Sequence, residues 1–185
     1  MKNGCTQKPK TDRNKREIGE FGIWTLSSAK SGNGVEQLRD DNVNTFWQSD
    51  SCQPHYLKIE FLNKYRVSEL WIYLDYKTDE SYTPNKISLQ IENSFHEWVD
   101  YKLFDFEEPV GWFKMTLEER NSKGDIVKPY LKLQGLQLVV LQNTHNGKDT
   151  HIRCVKIFSP RENKSYDISN PKFSSIDITQ FQSIR

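Results

Sequence analysis

His145, Asp149, His151 and Cys154 stand close together in the chain, and residues of these types hold metals or run nucleophilic chemistry. A metal site wants three or four converging ligands, usually at a recognisable spacing, and this quartet has none. A Cys–His nucleophile pair would need an accessible thiol. Cys154 sits instead among Ile152, Val155 and Ile157, where it reads as packing within a strand. Gly32 and Gly34 lack the preceding strand and following helix that make a phosphate cradle. No metal, cofactor or catalytic centre is therefore expected.

A different chemistry is written in two longer segments. Leu74 to Ile87 leaves one apolar run and enters another through Asp75, Tyr76, Asp79, Glu80, Ser81, Tyr82 and Thr83. Leu141 to Arg153 is as dense in Asn, Thr, His and Asp. A turn needs only a few such residues. Two polar, aromatic-bearing loops exceed what connection requires, and binding groups concentrate on loops held by rigid sheets. A third segment, Gln37 to Asp50, joins an acidic turn to Thr45-Phe46-Trp47. Asp and Asn side chains bond backbone amides in such turns, and Trp47 offers a large apolar face to lock the turn onto a core.

Strands must position these loops. Leu57, Ile59 and Phe61 alternate with polar residues, as do Ile87, Leu89 and Ile91; Leu70, Ile72 and Leu74 alternate with Trp71 and Tyr73, and Leu136, Leu138 and Val140 with Gln137 and Val139. Period-two alternation marks a strand with one buried face. Thr83-Pro84-Asn85, Asn121 to Gly124 and Asn146-Gly147 punctuate the runs, as in a sandwich or barrel. Alternation breaks phase at Gly135, where a bulge or strand entry is expected. The best helical stretch runs from Val35 to Asp41. The fold class is therefore all-β, an antiparallel β-sandwich.

Composition fits a single domain. The chain has 185 residues and a formal net charge of +1, which gives no long-range pull toward nucleic acid or an anionic membrane. Five Trp, eight Tyr and ten Phe are too many for a disordered chain. Three cysteines without regular spacing argue against a disulfide framework, and no run approaches a membrane span or resembles a signal peptide, so a soluble, intracellular protein is expected. Residues 1–20 read as polar and loosely ordered. The basic stretch Lys8 to Arg16 is either a solvated tail or a nuclear-import or docking patch. The expected organisation is a flexible segment 1–16, a domain 17–160 and an extension 161–185 that either straps the surface or orders on a partner.

Asp75-Tyr76-Lys77, Asp79 to Pro84, and Asn146-Gly147 with Asp149-Thr150-His151 resemble the signature loops of the Doc-domain family of anaphase-promoting complex subunits. The stretch Gln37 to Asp50 fits as well, and the likeness runs in order from about Arg16 to Pro160. It implies a galactose-binding/discoidin-like jelly roll and a non-catalytic role in a cell-cycle ubiquitin ligase. It also implies a partnership with a WD40 activator in holding destruction-box degrons, a cullin-like core and a TPR subunit as neighbours, and residence in nucleus and cytoplasm. Carried over residue by residue, Ser81, Asn146 and His151 become the degron-contact candidates. Asp79, Glu80, Tyr82 and Asp149 shape the same surface. His151 also begins a strand, where a structural histidine is the competing reading. The Ile184-Arg185 ending resembles the tail by which this family docks a TPR subunit. The rival reading is a carbohydrate- or lipid-binding discoidin-like module, since fold alone does not settle function.

Overall fold

The computed structural model describes residues 7–11, 13–92 and 96–161, so the tail expectations at Ile184 and Arg185 lie outside the described residues. In chain order the strands are β1 Lys15–Glu17, β2 Gly22–Leu26, β3 Trp47–Gln48, β4 His55–Val67, β5 Glu69–Asp75, β6 Pro84–Glu92, β7 Trp98–Asp105, β8 Val110–Thr116, β9 Glu119–Arg120, β10 Ile126–Lys128, β11 Leu131–Asn143, β12 His151–Ile152 and β13 Cys154–Pro160. Two short helices interrupt them, α1 Val35–Arg39 and α2 Tyr76–Asp79.

A five-stranded sheet in the order β2-β4-β11-β6-β7 faces a four-stranded sheet in the order β1-β13-β5-β8, and all the pairings are antiparallel. The connectivity jumps between sheets, as in a jelly roll. Each sheet presents its alternating apolar face inward. Leu57, Ile59 and Phe61 of β4, Ile87 and Leu89 of β6, and Leu136, Leu138 and Val140 of β11 meet Leu70, Ile72 and Leu74 of β5, and all are buried. At about 25 cal/mol per Å² of apolar surface removed from water, such side chains supply about 1.5–3 kcal/mol each.

The phase break at Gly135 is real, but the extra residues lie opposite it. Gly135 pairs with Glu60 while Leu133 pairs with Tyr65, so β4 loops out at Leu62, Asn63 and Lys64, and Leu62 is 80% exposed. A Cβ at Gly135 would come within 2.8 Å of the Glu92 carboxylate and of the Trp98 ring, so both side-chain ends would have to shift. The N-terminal expectation is corrected from Lys15 onward. Lys15–Glu17 pairs with β13 and Ile18 is fully buried. The polar residues hold this strand through side chains. Lys15 Nζ reaches Glu69 at 2.9 Å and Lys156 Nζ reaches Glu17 at 2.9 Å. α1 falls inside the expected helix, and the Gln37 side chain accepts the Gly34 N–H at 2.8 Å, half of a capping box.

Candidate functional site

The expected long loop between β5 and β6 is instead wound. α2 is followed at once by a 3-10 turn, Glu80–Tyr82, and β11 leads into another, Thr144–Asn146. The two turns are fastened side by side. The Thr144 N–H donates to the Thr83 carbonyl at 2.9 Å and the Thr144 hydroxyl to the Glu80 carbonyl. Gly147 lies so close that a Cβ there would stand 1.9 Å from the Ser81 carbonyl oxygen, which only glycine permits. Residues 147–149 are held from the other side. Asn143 Nδ2 donates to the carbonyls of Gly147 and Asp149, at 3.2 and 2.8 Å, and Gln53 Nε2 to those of Gly147 and Lys148.

Beneath the turns lies a buried ionic knot. The Asp79 carboxylate takes the Arg153 guanidinium in a two-pronged pair, at 2.8 Å from Nε and 2.7 Å from the terminal nitrogen. The other terminal nitrogen of Arg153 donates to the Val43 carbonyl at 2.8 Å, which draws the Gln37 to Asp50 segment into the same assembly. That segment builds its own turn. Asp40 accepts the Asn42 N–H, Asn42 accepts the Asn44 N–H, and Trp47 is wholly buried with its indole N–H donated to the Ser28 carbonyl. Burial pushes the Asp79 carboxyl up, but the His151 and Arg153 hydrogen bonds outweigh it and hold the group below the usual aspartate range.

His151 completes the knot. Its Nδ1 donates to Asp79 at 3.1 Å, and its ring is stacked between Phe46 and Tyr82 at 4.2 and 4.3 Å. The ring is buried, and its Nε2 has no partner among the described residues. His55 Nδ1, Thr83 Oγ1, Asn85 Oδ1, Asn143 Oδ1 and Thr150 Oγ1 share that condition, and all lie on segments that build this end.

The candidate residues thus divide by depth. Ser81 and Asp149 are half-buried, Glu80 and Asn146 are exposed, and Tyr82 is 39% exposed, so these five reach the surface. Asp79 does not. It acts from below, through His151 and Arg153. Glu80 and Asp149 are the carboxylates left to meet a cation. Glu80, His145 and Asn146 have φ of 45°, 50° and 56°, a region L side chains rarely adopt, and such strain gathers at sites that must be held ready. A cleft of about 310 Å³ opens beside them, lined by Tyr76, Lys77, Glu80, Glu108, Val110 and His145, with the Tyr76 hydroxyl 3.0 Å from His145 Nε2. Arg153 and Phe46 belong to the site although their sequence context does not name them. An arginine between Ile152 and Cys154, at a place where the strand pattern is otherwise apolar, is the available signal for the first.

Among the described residues the buried thiol is Cys154, and its surroundings do not suit a nucleophile. Cys154 lies under the Asn42 carbonyl, and burial, with Asp40 and Asp41 nearby, pushes it up to about 11. A thiol so protonated is a poor nucleophile. Among the described residues no three His, Cys, Asp or Glu side chains converge as metal ligands.

Fold and loop end together define the class: a galactose-binding-like jelly roll with a built polar surface at one end. The family 32 carbohydrate-binding module of C. perfringens NanJ, solved in complex with galactose, superposes with a TM-score of 0.63 at 13% identity, covering 78% of this chain and 99% of that one. At that identity the likeness carries the fold alone. The family follows from sequence. The model of "anaphase-promoting complex, subunit 10" matches residues 2–183. The Homo sapiens anaphase-promoting complex subunit 10 is 44% identical over 170 residues, 92% of this chain and 88% of that protein. The Dictyostelium discoideum protein of that name is 43% identical over 172 residues, 93% of this chain and 88% of its own. The chain belongs to the anaphase-promoting complex subunit 10 family.

Proposed function

We propose that the chain is a non-catalytic subunit of the anaphase-promoting complex whose loop end, with a WD40 activator, receives the destruction-box degron. The observation that carries this is the fastening of the Glu80–Tyr82 turn to the Thr144–Asn146 turn, with Gly147 against Ser81. A pre-set polar surface binds an extended peptide with little ordering entropy. Ser81 and Asn146 offer hydrogen bonds to its backbone, Tyr82 an aromatic face, and Glu80 or Asp149 a carboxylate for an arginine. His151 and Asp79 hold this surface from beneath, and a donor that reached His151 would find its unpartnered Nε2. The consequence is longer substrate residence, hence longer ubiquitin chains per encounter. Neighbouring subunits, including the cullin-like core, perform the transfer. Ile184 and Arg185 anchor the chain to a TPR subunit, and the complex works in nucleus and cytoplasm.

The test is a reconstituted complex carrying Ser81→Ala with Asn146→Gly, where glycine keeps the left-handed backbone at that position. Each lost contact is worth on the order of 1 kcal/mol, so the pair should lower processivity on a destruction-box substrate several-fold and leave assembly intact. Normal assembly with undiminished processivity would refute the surface. Removal of Ile184 and Arg185 should separately reduce recovery of the TPR subunit in pull-downs, without altering the melting of the domain.

A further inference from the structure

At the pole opposite the loops lies a groove of about 610 Å³. Arg16, Lys64, Arg66 and Arg161 line it, with Tyr65 and Pro160 beside them, and among the described residues no carboxylate does. The fold makes it. The bulge of β4 throws Lys64 outward, Arg16 sits mid-strand opposite Ser159, and Arg161 follows β13 with its N–H donated to the Asn14 carbonyl at 2.7 Å. The guanidinium of Arg66 lies 5.2 Å from the Tyr130 ring centre.

Elsewhere on this nearly neutral chain several cations are matched. Lys8 and Lys156 meet Asp41, Lys15 and Lys114 meet Glu69, Lys58 meets Glu60, Arg120 meets Glu118 and Lys128 meets Glu119. Arg16, Lys64 and Arg161 have no ion pair with a carboxylate among the described residues. Like charges gathered around one concavity repel, and a focused positive potential there raises the local concentration of anions.

We propose that this groove docks an acidic segment of a partner polypeptide, held through its side-chain carboxylates. Two arginine forks and a lysine suit separate carboxylates spaced along an extended chain, and Tyr65 and Pro160 give that chain an apolar wall. A nucleic acid would need a basic stripe and an excess of positive charge, and the net charge of +1 denies it. β13 alone, from Cys154 to Pro160, separates the poles by roughly 20 Å, so an acidic partner here leaves the loop end open. The assignment is independent of the degron reading.

Fluorescence anisotropy on the full chain at low salt tests it, with a short labelled peptide alternating Glu and Gly. The peptide should bind, lose affinity with added salt, and lose binding when its Glu residues are replaced by Gln. Arg16→Glu, Lys64→Glu and Arg161→Glu together should weaken it by about tenfold or more. Ser81→Ala with Asn146→Gly should leave it unchanged. All three cations are exposed, so the fold should hold; should the reversed set melt early, Gln at the same three positions decides between the outcomes. Unchanged affinity in a folded variant overturns the proposal, as does tighter binding of a single-stranded oligonucleotide, or of a phosphorylated Ser/Gly peptide, than of the Glu peptide.

Discussion

Asp79→Ala isolates the ionic knot that joins three segments at the loop end. Asp79 and Arg153 side chains are only 4% and 6% exposed, so neither charge has water to fall back on. Removing the carboxylate leaves a buried guanidinium with one remaining described hydrogen bond, to the Val43 carbonyl, and leaves His151 Nδ1 without its acceptor. Breaking one partner of such a pair costs about 3–5 kcal/mol. For a domain of this size about 2–4 °C of Tm accompanies each kcal/mol, so Tm should fall by roughly 6–20 °C. Urea unfolding followed by tryptophan fluorescence reads the same loss as a shift in midpoint at unchanged slope. Replacing both partners, Asp79→Leu with Arg153→Met, should recover part of it, because the large term is the stranded charge and not the net value of the pair. A loss below about 1 kcal/mol for Asp79→Ala, or a double variant no better than the single, would falsify the reasoning.

Ile72→Ala and Leu138→Ala remove fully buried side chains from opposite sheets, and each should cost about 2–5 kcal/mol by urea unfolding; a loss under about 1 kcal/mol at both would mean the inner faces are misassigned. Gly147→Ala has an ordinary φ of −57° but drives a methyl into the Ser81 carbonyl, so it should cost about 1–3 kcal/mol and part the two turns, seen as faster amide exchange at Thr144. Acid should unfold the domain partly through Asp79. Its folded value is lowered, so its contribution is fully present above the unfolded value near about 3.9 and is lost as pH falls through the folded one. Asp79→Asn should therefore flatten the stability profile below about pH 4, and an unchanged acid limb would contradict the assignment.

The strands are legible in the sequence because their apolar residues alternate: every apolar residue expected inward on β4, β5 and β11 is inward, although Val139, read as outward, is also buried. β1 is not legible. Lys15, Arg16 and Glu17 have no alternating apolar residues, and the strand is specified by partners distant in sequence, Glu69 and Lys156. Gly135 betrays the bulge but not its strand, since one sequence shows the phase break and not which partner carries the extra residues. At the loop end, residue types point to Ser81, Asn146 and His151, yet not to their depth. Asp79 and His151 look like surface groups in a polar run and become buried because Arg153, over seventy positions from Asp79, neutralises the first and Phe46 and Tyr82 enclose the second.

That division of depth explains why so polar an end can be rigid. Glu80, His145 and Asn146 hold backbone conformations that cost of order 1–3 kcal/mol each, and of their side chains only His145, through the Tyr76 hydroxyl, has a described hydrogen bond to set against this. The compensation comes from the layer below. Arg153 ties Asp79 to Val43, His151 fills the space between two rings, and Thr144 stitches one turn to the other. Strain at the surface and a charged pair beneath it are then one device. The pair fixes the turns in a shape that free loops would not populate, and the fixed shape brings Ser81, Asn146 and Glu80 to the surface, so that the proposed degron contact would leave little to order. Positive φ is not peculiar to this end, since Asp41, His96 and Glu108 adopt it in other turns; what sets the loop end apart is the buried pair that holds its turns from beneath.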